Sequence, residues 1–193
     1  MEFSGAVLAG GLSKRFGRDK ARFVWRGKPL MAHVLGGLAE ASERFVVAGR
    51  DYSEFGVPVY PDVIPGGDSL SGIHSALHHA KHDWVAVAAC DLPNLSADYW
   101  RLLLERASGS SAVVALGPSG WIEPLAALYH KSLEPLAELQ LRDEDYYLRR
   151  FVDLAEAVIV PWEELRARFG EDLFLNANRV EDLAGGAGDE PAG

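Results

Sequence analysis

Short apolar runs alternate along the chain with segments whose apolar positions recur at helical spacing. That alternation predicts α/β units around a mainly parallel sheet. The strand-like runs are Ala6–Leu8, Phe45–Ala48, Val57–Tyr60, Val85–Ala89 and Ala112–Leu116. Between them the pattern predicts helices over Pro29–Ala41, Leu70–Ala80 and Ser96–Ala107, with a proline opening the first and Ser96 placed as N-cap of the third. Arg26-Gly27, within Phe23–Leu30, reads as the turn of a small hairpin. Further on, Leu125–Tyr129 and Ala157–Val160 read as strands, and Leu133–Leu139 and Pro161–Phe169 as helices. The expected fold is a three-layer, Rossmann-like α/β structure. No repeat or linker interrupts residues 1–183, which read as one domain; AGGAGDEPAG, 184–193, reads as a loose tail.

Composition narrows the function classes. No apolar run approaches 18 residues, and the start MEFSGAVLAGG carries no basic n-region or cleavage site, so a cytoplasmic protein is expected. The single cysteine, Cys90, has no partner for an internal disulfide and reads as a buried thiol. Net charge is −9, which disfavours nucleic acid and anionic membranes as partners. The charge is unevenly spread. Lys14, Arg15, Arg18, Lys20, Arg22, Arg26 and Lys28 face one acid, Asp19, giving +6 over Lys14–Lys28 and −15 over the rest. A small anion suits that stretch better than a polyanion.

The stretch begins on glycines. In Leu8-Ala9-Gly10-Gly11-Leu12-Ser13-Lys14-Arg15-Phe16-Gly17-Arg18-Asp19-Lys20, the glycines let successive N–H groups converge on phosphate oxygens. Arg15 can hold a phosphate through two parallel hydrogen bonds, and Lys20 adds a mobile point charge. Neither the P-loop pattern GxxxxGK[ST] nor the dinucleotide pattern GxGxxG is present. In an open parallel sheet, ligands sit at the carboxyl ends of the strands. Leu8, Asp62 and Asp91 all fall at or just beyond such ends. A carboxylate beside a phosphate loop requires a cation between them, and Mg2+ is suited because it takes one or two carboxylates and fills its shell with phosphate oxygens and water. Asp91 and Asp62 can also serve as turn or capping residues.

In that order the residues match a family. LAGGLSKRFGRDKA resembles the LxGGxSxRxGxDK signature of molybdenum cofactor guanylyltransferases, the MobA family of nucleotidyltransferases. Gly27-Lys28-Pro29-Leu30, Pro61-Asp62, Ser69-Leu70-Ser71-Gly72-Ile73 (similar to GPLxGI), Cys90-Asp91-Leu92-Pro93, Glu123-Pro124-Leu125-Ala126 and Phe174-Leu175-Asn176-Ala177-Asn178 continue the match over about residues 4–183. The resemblance implies a nucleotidyltransferase-type sheet and transfer of GMP from GTP to the terminal phosphate of molybdopterin, releasing pyrophosphate. It implies nucleotide contacts from Leu8, Ala9, Gly10, Gly11, Lys20, Asp62 and Asp91, with Mg2+ on Asp91. Arg15, Lys20 and Asp91 are then the catalytic set. Asn176 and Asn178 are placed near the acceptor or metal, although Asn178 also fits an N-cap with Glu181 at N3. The protein is expected to act as a monomer or weak oligomer.

The chain departs from the family pattern in places. Val46-Val47-Ala48-Gly49 lacks the usual asparagine, and Arg142-Asp143-Glu144-Asp145 stands where some relatives are basic, with Arg149 and Arg150 following. Rival readings are cytidylyl transfer to molybdopterin, nucleotidyl transfer to a sugar phosphate, a non-catalytic nucleotide-binding module and a dinucleotide-dependent dehydrogenase. Gly10-Gly11 and Ser71-Gly72 together favour guanine, because the sister enzymes more often carry LAAG, with alanine in place of Gly10. His74, His78 and His82, spaced by four, read as a solvated helix face without the glutamate of HExxH. Trp121, before the Glu123-Pro124 motif, is a candidate to stack on a pterin.

Overall fold

The computed structural model describes residues 1–10 and 19–176. Arg15, Gly11, Asn178 and the expected tail at 184–193 lie outside the described residues.

Among the described residues the central sheet has seven strands. They are β1 (Phe3–Leu8), β4 (Glu43–Val47), β5 (Val59–Tyr60), β6 (Trp84–Ala89), β7 (Ala112–Leu116), β8 (Ile122–His130) and β9 (Val158–Val160), in the order β5-β4-β1-β6-β8-β7-β9. All pair in parallel except β8, which runs antiparallel to both β6 and β7. The predicted hairpin is β2 (Val24–Trp25) paired with β3 (Lys28–Pro29) across Arg26 and Gly27, both at positive φ.

Strand periodicity explains the three layers. In β1, Phe3 and Val7 join a core cluster with Met31, Val34 and Leu35 of α1 (Leu30–Gly37), Tyr99 and Leu103 of α3 (Ala97–Glu105) and Leu165 of α6 (Trp162–Phe169). Ala6 and Leu8 turn to the other face, to a cluster with Leu70, Ile73 and Leu77 of α2 (Asp68–His79), Leu141 of α4 (Glu134–Arg142) and Phe151 of α5 (Leu148–Leu154). The inner strands are buried on both faces, as their unbroken apolar runs require. Ser96 caps α3, its hydroxyl accepting from the Tyr99 amide.

Several elements differ from expectation. β1 begins at Phe3 rather than Ala6, α1 covers Leu30–Gly37 rather than Pro29–Ala41, and β5 is confined to Val59–Tyr60. The strand predicted at Leu125–Tyr129 is longer, Ile122–His130, and α5 has no counterpart in the sequence reading. Seven residues without a side-chain cap carry a weak helical signal; Phe151 and Val152, buried against the sheet, hold the helix in place. The histidine reading is also corrected. α2 ends at His79, so His82 is off the helix, and His74 is buried at 3% exposure rather than solvated.

The chain leaves β1 toward β4 and β5, then returns across β1 to β6 and continues outward. Adjacent strands β1 and β6 therefore send their following loops to opposite sides, which opens a crevice at their carboxyl ends.

Candidate functional site

A cleft of about 780 Å³ lies at that switch point. Leu8 and Ala89 are register partners at its floor, and the Cys90 amide donates to the Leu8 carbonyl at 3.1 Å just beyond. Asp91 follows, so its position is set by the last paired residues of the two central strands. Its carboxylate Oδ2 accepts from Lys20 Nζ at 2.9 Å, with the two side chains 18% and 15% exposed. No other hydrogen bond to the Asp91 carboxylate is formed among the described residues, so it is not a capping aspartate.

Lys20 starts a short 3-10 turn, Lys20–Arg22, which Asp19 anchors. The Asp19 carboxylate accepts from the Ala21 amide at 3.1 Å, from the Tyr52 hydroxyl at 3.0 Å and from Arg22 at 2.6 Å. Arg22 also donates to Glu54 at 2.6 Å and to the Asp51 carbonyl at 2.7 Å. Arg26 lies over the Trp25 ring at 4.3 Å, and Lys28 is exposed in the hairpin. Of the four described basic residues in the +6 stretch, only Lys20 lines the cleft. Arg22 is neutralised by two carboxylates and fastens the turn to the loop after β4.

Helix α2 closes one side. Gly72 permits this approach: a Cβ there would lie 2.9 Å from Leu8 Cδ1. Gly66, Asp68 and Ser69, at the start of α2, line the cleft, and Asp68 sits at φ +48°, an uncommon conformation for a residue with a side chain. Asp62 lines the same side beyond β5 and makes no hydrogen bond among the described residues, so its carboxylate does not form the turn. Burial pushes its carboxyl above the usual range, offset in part by His74.

The opposite wall contains a residue whose role the sequence did not reveal. Register along β7 and β8 jumps from Val114↔Ala127 to Ala115↔Glu123, so β8 carries three extra residues, Pro124–Ala126. Pro124, lacking an N–H, suits such a bulge. Two buried tyrosines satisfy its carbonyls: Tyr129 donates to Pro124 at 2.8 Å and Tyr99 donates to Ala126. The bulge turns Glu123, Pro124 and Leu125 into the cleft, where Leu148 of α5 and Asn176 join them. The Glu123 carboxyl packs so closely on Gly117 that a Cβ there would lie 2.3 Å from Oε1. Burial, then the charge of Asp91, pushes its carboxyl above the usual range. The only sequence signal for this was the motif Glu123-Pro124-Leu125-Ala126 itself.

The structure therefore brings Leu8, Ala9, Gly10, Lys20, Asp62, Asp91 and Asn176 to one cleft. Trp121, at 69% exposure, does not line it. Arg149 pairs with Asp153 at 2.9 Å and Arg150 with Asp145 at 2.7 Å. Cys90 is held as a thiol, burial pushing its pKa to about 12. Among the described residues no three His, Cys, Asp or Glu side chains gather as a metal cage, and no helix is long and apolar enough to cross a membrane. The Asp91 carboxylate on the floor of the cleft fits Mg2+, which takes one or two protein carboxylates and completes its shell with phosphate oxygens and water.

Comparison with known proteins agrees with this geometry. The model of the MobA-like NTP transferase domain matches residues 5–160. A Deinococcus radiodurans protein named probable molybdenum cofactor guanylyltransferase is 38% identical, with 98% of this chain and 97% of that protein covered. A Carboxydothermus hydrogenoformans protein of the same name is 36% identical over 92% and 91%. Among solved structures, molybdopterin-guanine dinucleotide biosynthesis protein A from Archaeoglobus fulgidus superposes with a TM-score of 0.80 at 27% identity, covering 94% of this chain and 95% of that one. A Thermus thermophilus 2-C-methyl-D-erythritol 4-phosphate cytidylyltransferase, at 19% identity and a TM-score of 0.69 over 95% and 96%, shares the fold. With motif order, sheet topology and cleft in agreement, the chain belongs to the MobA-like NTP transferase family and is a nucleotidyltransferase.

Proposed function

We propose that this cleft transfers GMP from GTP to the terminal phosphate of molybdopterin, forming the guanine dinucleotide and releasing pyrophosphate. The observation that carries the reading is the Lys20–Asp91 pair on the floor of the switch-point cleft, one cation and one carboxylate at 2.9 Å. A phosphate acceptor is already ionised near neutral pH, so its oxygen attacks the α-phosphorus without a general base. Catalysis then rests on positioning and on stabilising charge. Lys20, with Arg15, takes the charge that develops on the departing pyrophosphate. Asp91 would hold Mg2+, which supplies positive charge to the phosphate oxygens when bound. Ala9 and Gly10 present backbone to the nucleotide, and Asp62 faces the nucleoside.

Two separate walls favour a two-substrate reaction. The donor wall comes from β1, β5 and the start of α2, and the acceptor wall from the β8 bulge, Leu148 and Asn176. On the second wall a carboxylate stands among Pro124, Leu125 and Leu148, which would seat an aromatic ring bearing N–H donors.

The choice of base is supported by the Gly10-Gly11 pair in the sequence and by relatives named for guanylyl transfer. Cytidylyl transfer is the second reading. Pyrophosphate release from GTP, CTP and UTP, measured with molybdopterin and Mg2+, is expected to be dominated by GTP. Dominant use of CTP would replace guanylyl with cytidylyl transfer.

A further inference from the structure

The proposed reaction asks Lys20 and Asp91 to serve different groups, the ammonium a phosphate and the carboxylate a divalent cation, yet the structure has them bound to each other at 2.9 Å. An ammonium seated on Oδ2 blocks the approach to that oxygen and cancels the charge that draws a cation. Glu123 deepens the constraint. Antiparallel pairing sets Ala126 opposite Ala88, so the segment entering β8 stands beside the segment leaving β6, and the Glu123 and Asp91 charges act on each other. If Lys20 swung away alone, the repulsion between the Asp91 and Glu123 carboxylates would be left uncompensated in the cleft. Withdrawal is favoured only when a cation takes its place and an anion receives the ammonium.

A nucleoside triphosphate arriving with its divalent cation supplies both at once. The turn that carries Lys20 is held by Asp19 and Tyr52, so its backbone stays in place while the lysine stem moves between carboxylate and phosphate. Resting on the roles assigned above to Asp91 and Lys20, we propose that their ion pair is a latch on the divalent-cation site: it keeps the nucleotide-free cleft from taking up the ion and opens by exchange when triphosphate and cation enter together.

The latch predicts a gain where a catalytic lysine ordinarily predicts only a loss. Mn2+ binding to the full chain without nucleotide is measured by calorimetry and by the spin-resonance signal of free Mn2+. Lys20→Met and Lys20→Gln, both checked by thermal melting, are expected to bind Mn2+ about tenfold more tightly than the wild type, a modest share of what two charges this close exchange. Lys20→Arg keeps the charge and is expected to keep the wild-type affinity. In Lys20→Met combined with Asp91→Asn the gain is expected to vanish. Unchanged or weaker Mn2+ binding in Lys20→Met and Lys20→Gln overturns the latch. If Asp91→Asn still weakens Mn2+ binding with a non-hydrolysable GTP analogue present, only the latch falls. If Asp91→Asn has no effect even then, the metal role of Asp91 falls with it.

Discussion

The two walls of the cleft are built in different ways. The donor wall is made of residues that sit at strand ends and helix starts as direct continuations of those elements: Leu8 and Ala9 after β1, Asp62 after β5, Ser69 and Gly72 in α2. Each owes its place to regular pairing or to one close helix approach. The acceptor wall depends on an interruption of regular pairing. Three extra residues in β8 are tied down by hydroxyls from Tyr99 of α3 and from Tyr129 farther along β8 itself. A wall that continues regular elements inherits its rigidity from the sheet, whereas one made from a bulge needs dedicated supports. The second kind can change its shape without disturbing the rest of the sheet.

The comparison is broken most severely at the floor the walls share. Asp91→Ala is expected to lower turnover by about 10²–10³-fold, the typical loss of one electrostatic catalytic group, without changing the melting curve appreciably. Near-normal turnover in the purified variant would remove Asp91 from the machinery. Next comes a test of one wall against the other. Glu123→Ala is expected to lower kcat/KM for the acceptor by about 10-fold to 10²-fold and leave the KM for GTP within error, because a small displacement of a positioned substrate has costs of that order. A matching rise in the KM for GTP would place Glu123 on the donor side.

Two smaller effects sharpen the contrast through stability. Burial holds the Asp62 and Glu123 carboxyls above the usual range, the latter also under the charge of Asp91. The native protein binds those protons more tightly than the unfolded chain does. Stability is therefore lost as pH rises from the ordinary carboxylate range, about 4, through the raised native values. Asp62→Asn and Glu123→Gln are expected to melt higher than the wild type at pH 7, by a few degrees at most, since about 1 kcal/mol moves Tm by roughly 2–4 °C at this length. The advantage is expected to disappear in melts run below about pH 4, and an advantage that persists there would assign the gain to something other than ionisation. The smallest effect concerns Asp68 at φ +48°. Replacing it with glycine is expected to gain no more than about 1 kcal/mol in chemical denaturation, by relieving an uncommon backbone conformation. A loss of stability would show that the Asp68 side chain supports the start of α2.

Much of the donor side was legible because it is local. Strand ends follow from where an apolar run stops, and a carboxylate placed just after such a run reaches the sheet edge whatever else the fold does. Asp62 and Asp91 were found that way. The basic stretch shows the limit of the same reasoning. Its charges are contiguous in sequence and read as one anion-facing loop, but Arg22 is spent on Asp19 and Glu54, Arg26 covers Trp25, and only Lys20 of the four described lines the cleft. Charge density along a chain does not say which way each side chain turns. α5 escaped notice for a related reason: its two turns carry no cap and are stabilised by the burial of Phe151 and Val152 under the sheet.

The sequence by itself determined the layered α/β plan and the carboxylate after β6, because apolar periodicity and strand termination act over a few neighbouring residues. Only the tertiary structure decided that β8 runs against its neighbours, that its bulge delivers Glu123 beside Asp91, and that Lys20 closes on Asp91 across 71 positions of sequence. Those features depend on which distant segments pack together, and the free energy that selects them lies in burial and charge pairing between elements.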